Sequence, residues 1–449
     1  MSERVQAEDT IVATACPAGV GALSIVRLSG QDAHRMVMRL VGDKLPPIRT
    51  AARRKVRSAD GQILDESIVV CYRGPQSYTG EDAVEIICHG GWVSPVRITQ
   101  ALVEAGARPA LPGEFTRRAV LNGKLDLLQA EAVNDLIRAE STAAANLALQ
   151  QLDGGLSQRI VQLRSDILDV EALVAYEIDF PEEDDGPVDE PRILDAIQRV
   201  IDSIDALIAT TPAGELVRQG AVVVIVGPPN VGKSSLFNAL LGRKRALVTE
   251  IPGTTRDALE AVLDVVPVPL RLVDTAGLRE TQDQVERLGV EVSREYLTQA
   301  AAVLACGDSE ETLADALNNA GALARGAIIP VRTKVDLLHG APPHGLGVSA
   351  VTGAGLETLL NHVSTLLAEK SGLPAEESPI VTHARYRYVL TRAREELTAF
   401  QATRLENTVP VTVSAVHLRE GVRVIEELIG GVDVEDVLGK VFSSFCVGK

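Results

Sequence analysis

The chain has 449 residues, 46% of them hydrophobic and only 3% aromatic, which allows about two to four globular domains and makes a single core improbable. With 44 basic against 61 acidic side chains the formal charge is −17, so indiscriminate binding to nucleic acid or anionic membrane is disfavoured and any RNA contact must use a local basic patch. Five scattered cysteines without a C-x-x-C argue against a disulfide framework or a zinc site, the start "MSERVQAEDT" lacks an apolar leader, and no run reaches the roughly 20 apolar residues of a membrane span; a cytoplasmic protein with no membrane association is the expectation.

Residues 10 to 124 alternate Val/Ile-rich runs with turns: "TIVATAC", "ALSIVRLSG", "ESIVVCYRG" and "DAVEIICHGG" predict strands of an α+β domain over 1–124. From 125 to 217 the pattern becomes helical, most clearly where Ile193, Ile197, Val200, Ile201, Ile204, Leu207 and Ile208 form one apolar stripe at spacings of three and four. The acidic stretch "DFPEEDDGPVDEP" at 179 to 191 reads as a solvated loop, since clustered like charges have no core to enter. Over 218–372 the strand candidates "AVVVIV", "PLRLVDTAG", "AAVLAC" and "AIIPVRTKVD" alternate with helices, the pattern of a parallel-sheet α/β domain. Residues 373–449 are helical again. The simplest architecture therefore inserts the α/β module into an all-α domain whose halves flank it.

Directly after "AVVVIV" comes "GPPNVGKSS" at 227 to 235, which fits G-x-x-x-x-G-K-S/T with a strand before it and a helix after it. Glycines let backbone N–H groups curl around a β-phosphate, and the following helix aims its positive end at the same oxygens. Lys233 should reach the β- and γ-phosphates, and the Ser234 hydroxyl should ligate Mg²⁺. The bound anion is then a nucleoside triphosphate. In "TKVD" at 333 to 336, Asp336 can accept two hydrogen bonds from the N1–H and amino group of guanine, which adenine does not offer. The stem of Lys334 would lie along the base, and "VSA", Val348 to Ala350, could present the Ala350 N–H to the guanine carbonyl. The common motif is N-K-x-D; Thr333 departs from it. "DTAG" supplies Asp274 to hold magnesium through water and Gly277 to sense the γ-phosphate, while Leu278 cannot orient an attacking water as a glutamine would. "TEIPGTTRD" offers Thr255 as a further magnesium ligand. The predicted GTP site thus comprises Asn230, Val231, Gly232, Lys233, Ser234 and Ser235; Thr249, Glu250, Ile251, Pro252, Gly253, Thr254 and Thr255; Asp274, Thr275, Ala276 and Gly277; and Thr333, Lys334, Asp336, Ser349 and Ala350.

Five segments together, "PGTTRD" at 252, "DTAGLRE" at 274, "VERLGVE" at 285, "LPGEFTRRAVLNGKLDLLQAEAV" at 111 and the terminal "FCVGK", make the chain resemble the MnmE (TrmE) tRNA modification GTPases over nearly its whole length. The resemblance implies an N-terminal folate-binding and dimerisation domain, a helical domain and an inserted Ras-like P-loop G domain. It implies a K⁺ ion beside the phosphates, held by the Asn230 side chain, Thr249, the Ile251 carbonyl and Thr254, which neutralises developing charge when two G domains dimerise. Glu286 matches the family's catalytic glutamate. Arg27, Glu85, Lys124 and Lys449 match the positions that contact a tetrahydrofolate derivative (5-formyl or 5,10-methylene), and Cys446 the C-x-G-K cysteine considered for a role in the modification.

Read from the residues alone, Glu286 is a surface glutamate, Arg27 and Lys124 are ordinary surface residues, and Cys446 is a small hydrophobe of a terminal helix. Glu85, inside an apolar strand, is the odd one. The function implied is that of a homodimeric GTPase acting with the FAD-containing MnmG protein to modify C5 of the wobble uridine of certain tRNAs, with "ARRKVR" at 52 to 57 and Arg117–Arg118 as candidate RNA contacts. Rival readings are a regulatory or ribosome-assembly GTPase acting as a binding switch, and a folate-dependent one-carbon transferase with a vestigial G domain.

Overall fold

The computed structural model describes residues 9–42, 44–179, 190–243, 246–247, 259–274, 296–338, 346–373, 378–406, 409–430, 441–442 and 445–448. They fall into two compact units, Met1–Asn134 with Glu426–Lys449, and Asp135–Ile425. The acidic loop predicted at 179 to 191 lies almost wholly outside the described residues.

In the first unit, β1 (Ile11–Thr14), β2 (Leu23–Ser29), β3 (Ala52–Arg57), β4 (Ile63–Tyr72), β5 (Ala83–His89) and β6 (Arg108–Pro109) form one sheet in the order β3-β4-β5-β2-β1-β6. All pairs are antiparallel except β1 with β6. Period-2 alternation sends Val26, Leu28, Val69 and Ile86 to one face, where α1 (Ala33–Val41) and α2 (Ser94–Glu104) cover them with Val37, Leu40, Ile98 and Leu102. β3 is the "ARRKVR" segment. It is an edge strand whose Arg53, Lys55 and Arg57 are exposed while Val56 is buried, the charged kind of edge that discourages pairing with another sheet. After α3 (Glu114–Leu121) and the start of α4 (Leu127–Arg138), the chain tail returns to this unit: Phe442 and Phe445 pack with Leu127 and Ala130.

The second unit contains α5 (Thr142–Leu152), α6 (Gly155–Asp179), α7 (Glu190–Ala209) and α8 (Thr211–Gln219), followed by β7 (Ala221–Val226), α9 (Lys233–Arg243), β8 (Ala246–Leu247), β9 (Leu259–Leu263), β10 (Leu270–Asp274), β11 (Ala302–Gly307), α10 (Glu310–Gly321), β12 (Ala327–Arg332), β13 (Leu346–Gly347) and α11 (Leu356–Ser371). Then come α12 (Ala384–Glu406) and α13 (Val411–Ile429). The sheet order is β13-β12-β11-β7-β10-β9-β8. Its first five strands are parallel, as the continuous apolar runs require, and β9 and β8 extend it antiparallel. The predicted stripe on α7 is buried from Ile193 to Leu207, and α12, from beyond the α/β module, packs on that helix. The segments entering and leaving the module lie side by side. The Val381 N–H donates to Thr210 Oγ1 at 3.0 Å, and Arg218 Nε donates to the Thr382 carbonyl at 3.0 Å. A Cβ at Gly214 would stand 2.1 Å from the Val381 carbonyl oxygen, so this contact admits only glycine.

Candidate functional site

β7 is the central strand of the second unit's sheet, and the loop after it opens at the carboxyl ends of the parallel strands, the usual place for a ligand in such a sheet. Gly227 has φ 153° and its would-be Cβ lies 2.3 Å from the Cys306 carbonyl oxygen, so the turn out of the strand needs glycine for space as well as for conformation. Asn230 adopts φ 64° and Gly232 φ 95°, curling the backbone before α9 begins at Lys233. Ser234 and Ser235 are exposed at the helix start, as is Asn230, while Val231 is buried beneath them as an apolar anchor. Lys233 Nζ donates to the Pro228 carbonyl at 2.8 Å, which folds the ammonium over the loop it would share with a phosphate.

Asp274 ends β10 in register with Ile225 of β7 and is only 2% exposed, so a carboxylate is held close behind the loop. Hard oxygen donors from Ser234 and Asp274 on adjoining elements are the set a magnesium ion takes, with the remaining positions filled by water and phosphate. The end of β12 supplies the other wall. Thr333 Oγ1 donates to the Val231 carbonyl at 2.6 Å, and Lys334, in a left-handed conformation with φ 54°, donates to the Asn230 carbonyl at 2.7 Å and to Asp308 Oδ2 at 2.8 Å. Two consecutive loop carbonyls are thus tied to the T-K-x-D segment. The Lys334 hydrogen bond, ahead of opposing desolvation, holds the Asp308 carboxyl below its ordinary range. Asp336 stands exposed in a short 3₁₀ turn, Val335–Leu337. Ser349 is fully buried and its Oγ accepts from the N–H groups of Val351 and Thr352 at 3.2 and 3.1 Å, shaping the turn that carries Ala350. Asp308 was not singled out in the sequence; its position at the end of β11, beside the strand bearing the T-K-x-D motif, was the available signal.

The first unit holds a second polar site. Arg27 of β2 and Glu85 of β5 are register partners, and Arg27 Nε and Nη2 both donate to Glu85 Oε1, at 3.0 and 2.8 Å. Tyr72 OH donates to Glu85 Oε2 at 3.2 Å, and Arg27 Nη1 to the Gly448 carbonyl at 3.3 Å. The odd carboxylate in an apolar strand is therefore paired rather than orphaned. Burial, with the Glu85 carboxylate second, pushes the Tyr72 phenol above its ordinary 10.0. A cavity of about 170 Å³ opens here, lined by Arg27, Ser29, Tyr72, Tyr78, Thr79, Glu85 and Phe115 among others. Its aromatic walls and one carboxylate fit a flat heterocycle with N–H donors, as a pterin would be. Lys124 is exposed; its Cγ would lie 3.3 Å from a Cβ at Gly80, next to the lining residue Thr79. Cys446 is also exposed, and its carbonyl accepts from the Gly113 N–H at 3.3 Å, while Gly448 packs against Thr14 and Ala15. Arg27 acts within this site as the clamp on Glu85 and on the tail, with three of its five donors committed.

One expectation is corrected by burial. Arg118 is 6% exposed and donates to Asp9, Glu81 and Glu114, and Glu114, itself 2% exposed, is also bound by Arg108. Arg118 belongs to an internal ion lattice and is unavailable to RNA. The lattice reaches the cavity: Ser29 Oγ donates to Glu81 Oε2 at 2.7 Å and lies 2.6 Å from Thr79 Oγ1. Thr249, Glu250, Ile251, Pro252, Gly253, Thr254, Thr255, Thr275, Ala276, Gly277, Glu286 and Lys449 lie outside the described residues.

A glycine-bearing loop between the central strand and a lysine-headed helix, hydrogen-bonded to a T-K-x-D turn whose aspartate is exposed, defines a P-loop nucleotide-binding protein of the guanine-reading class. Residues 10–124 match the family described as GTP-binding protein TrmE N-terminus, and residues 127–446 the MnmE helical domain. The tRNA modification GTPase MnmE of Aquifex aeolicus is 42% identical over 450 residues, covering 98% of this chain and 100% of the relative. That of Carboxydothermus hydrogenoformans is 39% identical over 468 residues, with the same coverages. The chain belongs to the MnmE family of tRNA modification GTPases. Among solved structures, the G domain of the T. maritima FeoB iron transporter matches at 26% identity over 33% of this chain and 98% of that one, with a TM-score of 0.26.

Proposed function

We propose that the protein binds GTP with Mg²⁺ between the 227–235 loop and the T-K-x-D turn, hydrolyses it with a K⁺ ion beside the phosphates, and couples this to one-carbon chemistry on a folate held at Arg27, Glu85, Lys124 and Lys449. The observation that supports the nucleotide part most directly is the joining of the lysine-headed loop to the Asp336 turn through the carbonyls of Asn230 and Val231, a frame in which one nucleotide would meet both. Mg²⁺, held by Ser234 and Thr255 and by Asp274 through water, would offset phosphate charge. K⁺, at Asn230, Thr249, the Ile251 carbonyl and Thr254, would do so where charge develops between the β- and γ-phosphates. Glu286 would orient the attacking water. The cavity beside Glu85 supports the folate assignment by size, aromatic lining and its single carboxylate. In this reading a homodimer works with an FAD-containing MnmG partner to install a carboxymethylaminomethyl or aminomethyl group on C5 of uridine 34 in certain tRNAs, with Cys446 near the folate.

The test is GTP hydrolysis by the full chain in K⁺ and in Na⁺, run beside a fluorescence titration with a reduced folate. The expected outcome is turnover that is at least about tenfold faster in K⁺, no comparable turnover of ATP, and saturable folate binding. Hydrolysis indifferent to the cation in a protein that takes up no folate would replace this reading with a GTP-dependent binding switch.

A further inference from the structure

The end of β12 has fewer hydrogen-bond donors to give a purine than its motif suggests. Thr333 is 3% exposed, and both of its protons are committed inside the protein: the backbone N–H to the Gly307 carbonyl at 3.0 Å, and the hydroxyl to the Val231 carbonyl at 2.6 Å. A hydroxyl has one proton, whereas an asparagine amide at the same place has two and could bond the loop carbonyl and still face the base. Guanine offers Asp336 its N1–H and amino group; the edge away from them carries N7 and O6, which are acceptors only. The Val231 carbonyl also has a strong claim on the hydroxyl, because turning the proton toward the base would leave a buried acceptor unpaired at a cost matching the gain.

We infer that Thr333 serves only to tie the phosphate loop to the base-binding turn, and that guanine is recognised in this protein without a side-chain hydrogen bond to N7 from position 333. This rests on the guanine-nucleotide reading above. Thr333 is then a positioning residue, and the missing bond weakens the grip on nucleotide mainly by raising its dissociation rate.

Calorimetric titration of the full chain with GDP and with 7-deaza-GDP, which has a C–H in place of N7 and keeps N1, the amino group and O6, tests this. Unmodified protein should bind the two within about twofold. Thr333→Asn should bind GDP about tenfold more tightly and lose that gain with 7-deaza-GDP. Thr333→Val, which orphans the Val231 carbonyl, should weaken both nucleotides equally and leave their ratio at one, a pattern that loop damage alone explains. A tenfold preference of the unmodified protein for GDP over 7-deaza-GDP overturns the inference, as does a Thr333→Asn variant with no gain. Failure of the unmodified protein to take up GDP at all overturns the guanine reading itself, and the two failures are thereby told apart.

Discussion

In the proposed guanine site, the selective power of Asp336 would come from its exposure. It sits in a turn at the end of β12, and among the described residues no side chain competes for its carboxylate, so both oxygens are open to a base. Guanine supplies two donors to that carboxylate, and xanthine replaces one of them with a carbonyl. An amide at this position can accept from N1–H and donate to that carbonyl. Asp336→Asn should therefore bind GTP about a hundredfold more weakly, through loss of two charge-assisted bonds, and bind xanthosine triphosphate more tightly than the unmodified protein does, as read by competition titration. Equal losses for both nucleotides would mean that the turn, not the carboxylate, had been disturbed.

At the scale of elements, α3 is held to the first sheet both by its apolar face, where Phe115 packs with Ile11 and Ala13, and by a set of buried charges. Glu114, Arg118, Arg108, Asp9 and Glu81 join the helix to β6 and to the loops before β1 and β5. Burial pushes the Glu114 carboxyl up, but hydrogen bonds from Arg108 and the Leu111 N–H outweigh it and hold the group below its ordinary 4.5; burial is likewise outweighed at Asp9, by Arg108 and Arg118, below 3.8. Carboxyls whose folded-state affinity for protons is depressed contribute stability that is fully present above those ordinary values and is lost as pH falls through the lowered ones. Urea midpoints should thus hold steady from pH 7 to 5 and drop between pH 4.5 and 3. Arg118→Met, which leaves the 2%-exposed Glu114 short of a partner, should cost about 3–5 kcal/mol and reduce the acid sensitivity. Arg53→Met on the exposed edge strand, where Arg53 meets Glu66 at 2.9 Å, should cost less than about 1 kcal/mol.

For the whole molecule, the nucleotide loop and the Arg27–Glu85 cavity belong to different compact units, each with its own core. Substitutions in one site should therefore leave binding at the other intact, while the modification of tRNA, as proposed, would need both. Lys233→Ala should abolish GTP hydrolysis with folate affinity unchanged, and Glu85→Gln should weaken folate about tenfold with basal GTP hydrolysis unchanged. A reconstituted tRNA modification assay should find both variants inactive. Retention of modification by Lys233→Ala would separate the chemistry from hydrolysis.

The phosphate loop, its strand and helix, the α7 stripe and the strands β1, β2, β4, β5, β7, β10, β11 and β12 were legible along the chain, because backbone conformation and apolar periodicity are encoded within a few neighbouring residues, whereas the charged edge strand β3 and the strands β6, β8, β9 and β13 were not. The same reading took Arg118 for a surface cation and left Thr333 an open question, since the partners that decide their roles lie far away in sequence: Asp9 at a separation of 109 residues and Val231 at 102. Arg27 meets Glu85 across 58 residues and Gly448 across 421. The order of residues determined where strands, helices and the anion-binding turn would form. Which buried proton goes to which acceptor was decided only when the sheets closed, because a hydrogen bond depends on position in space and has no local signature in the chain.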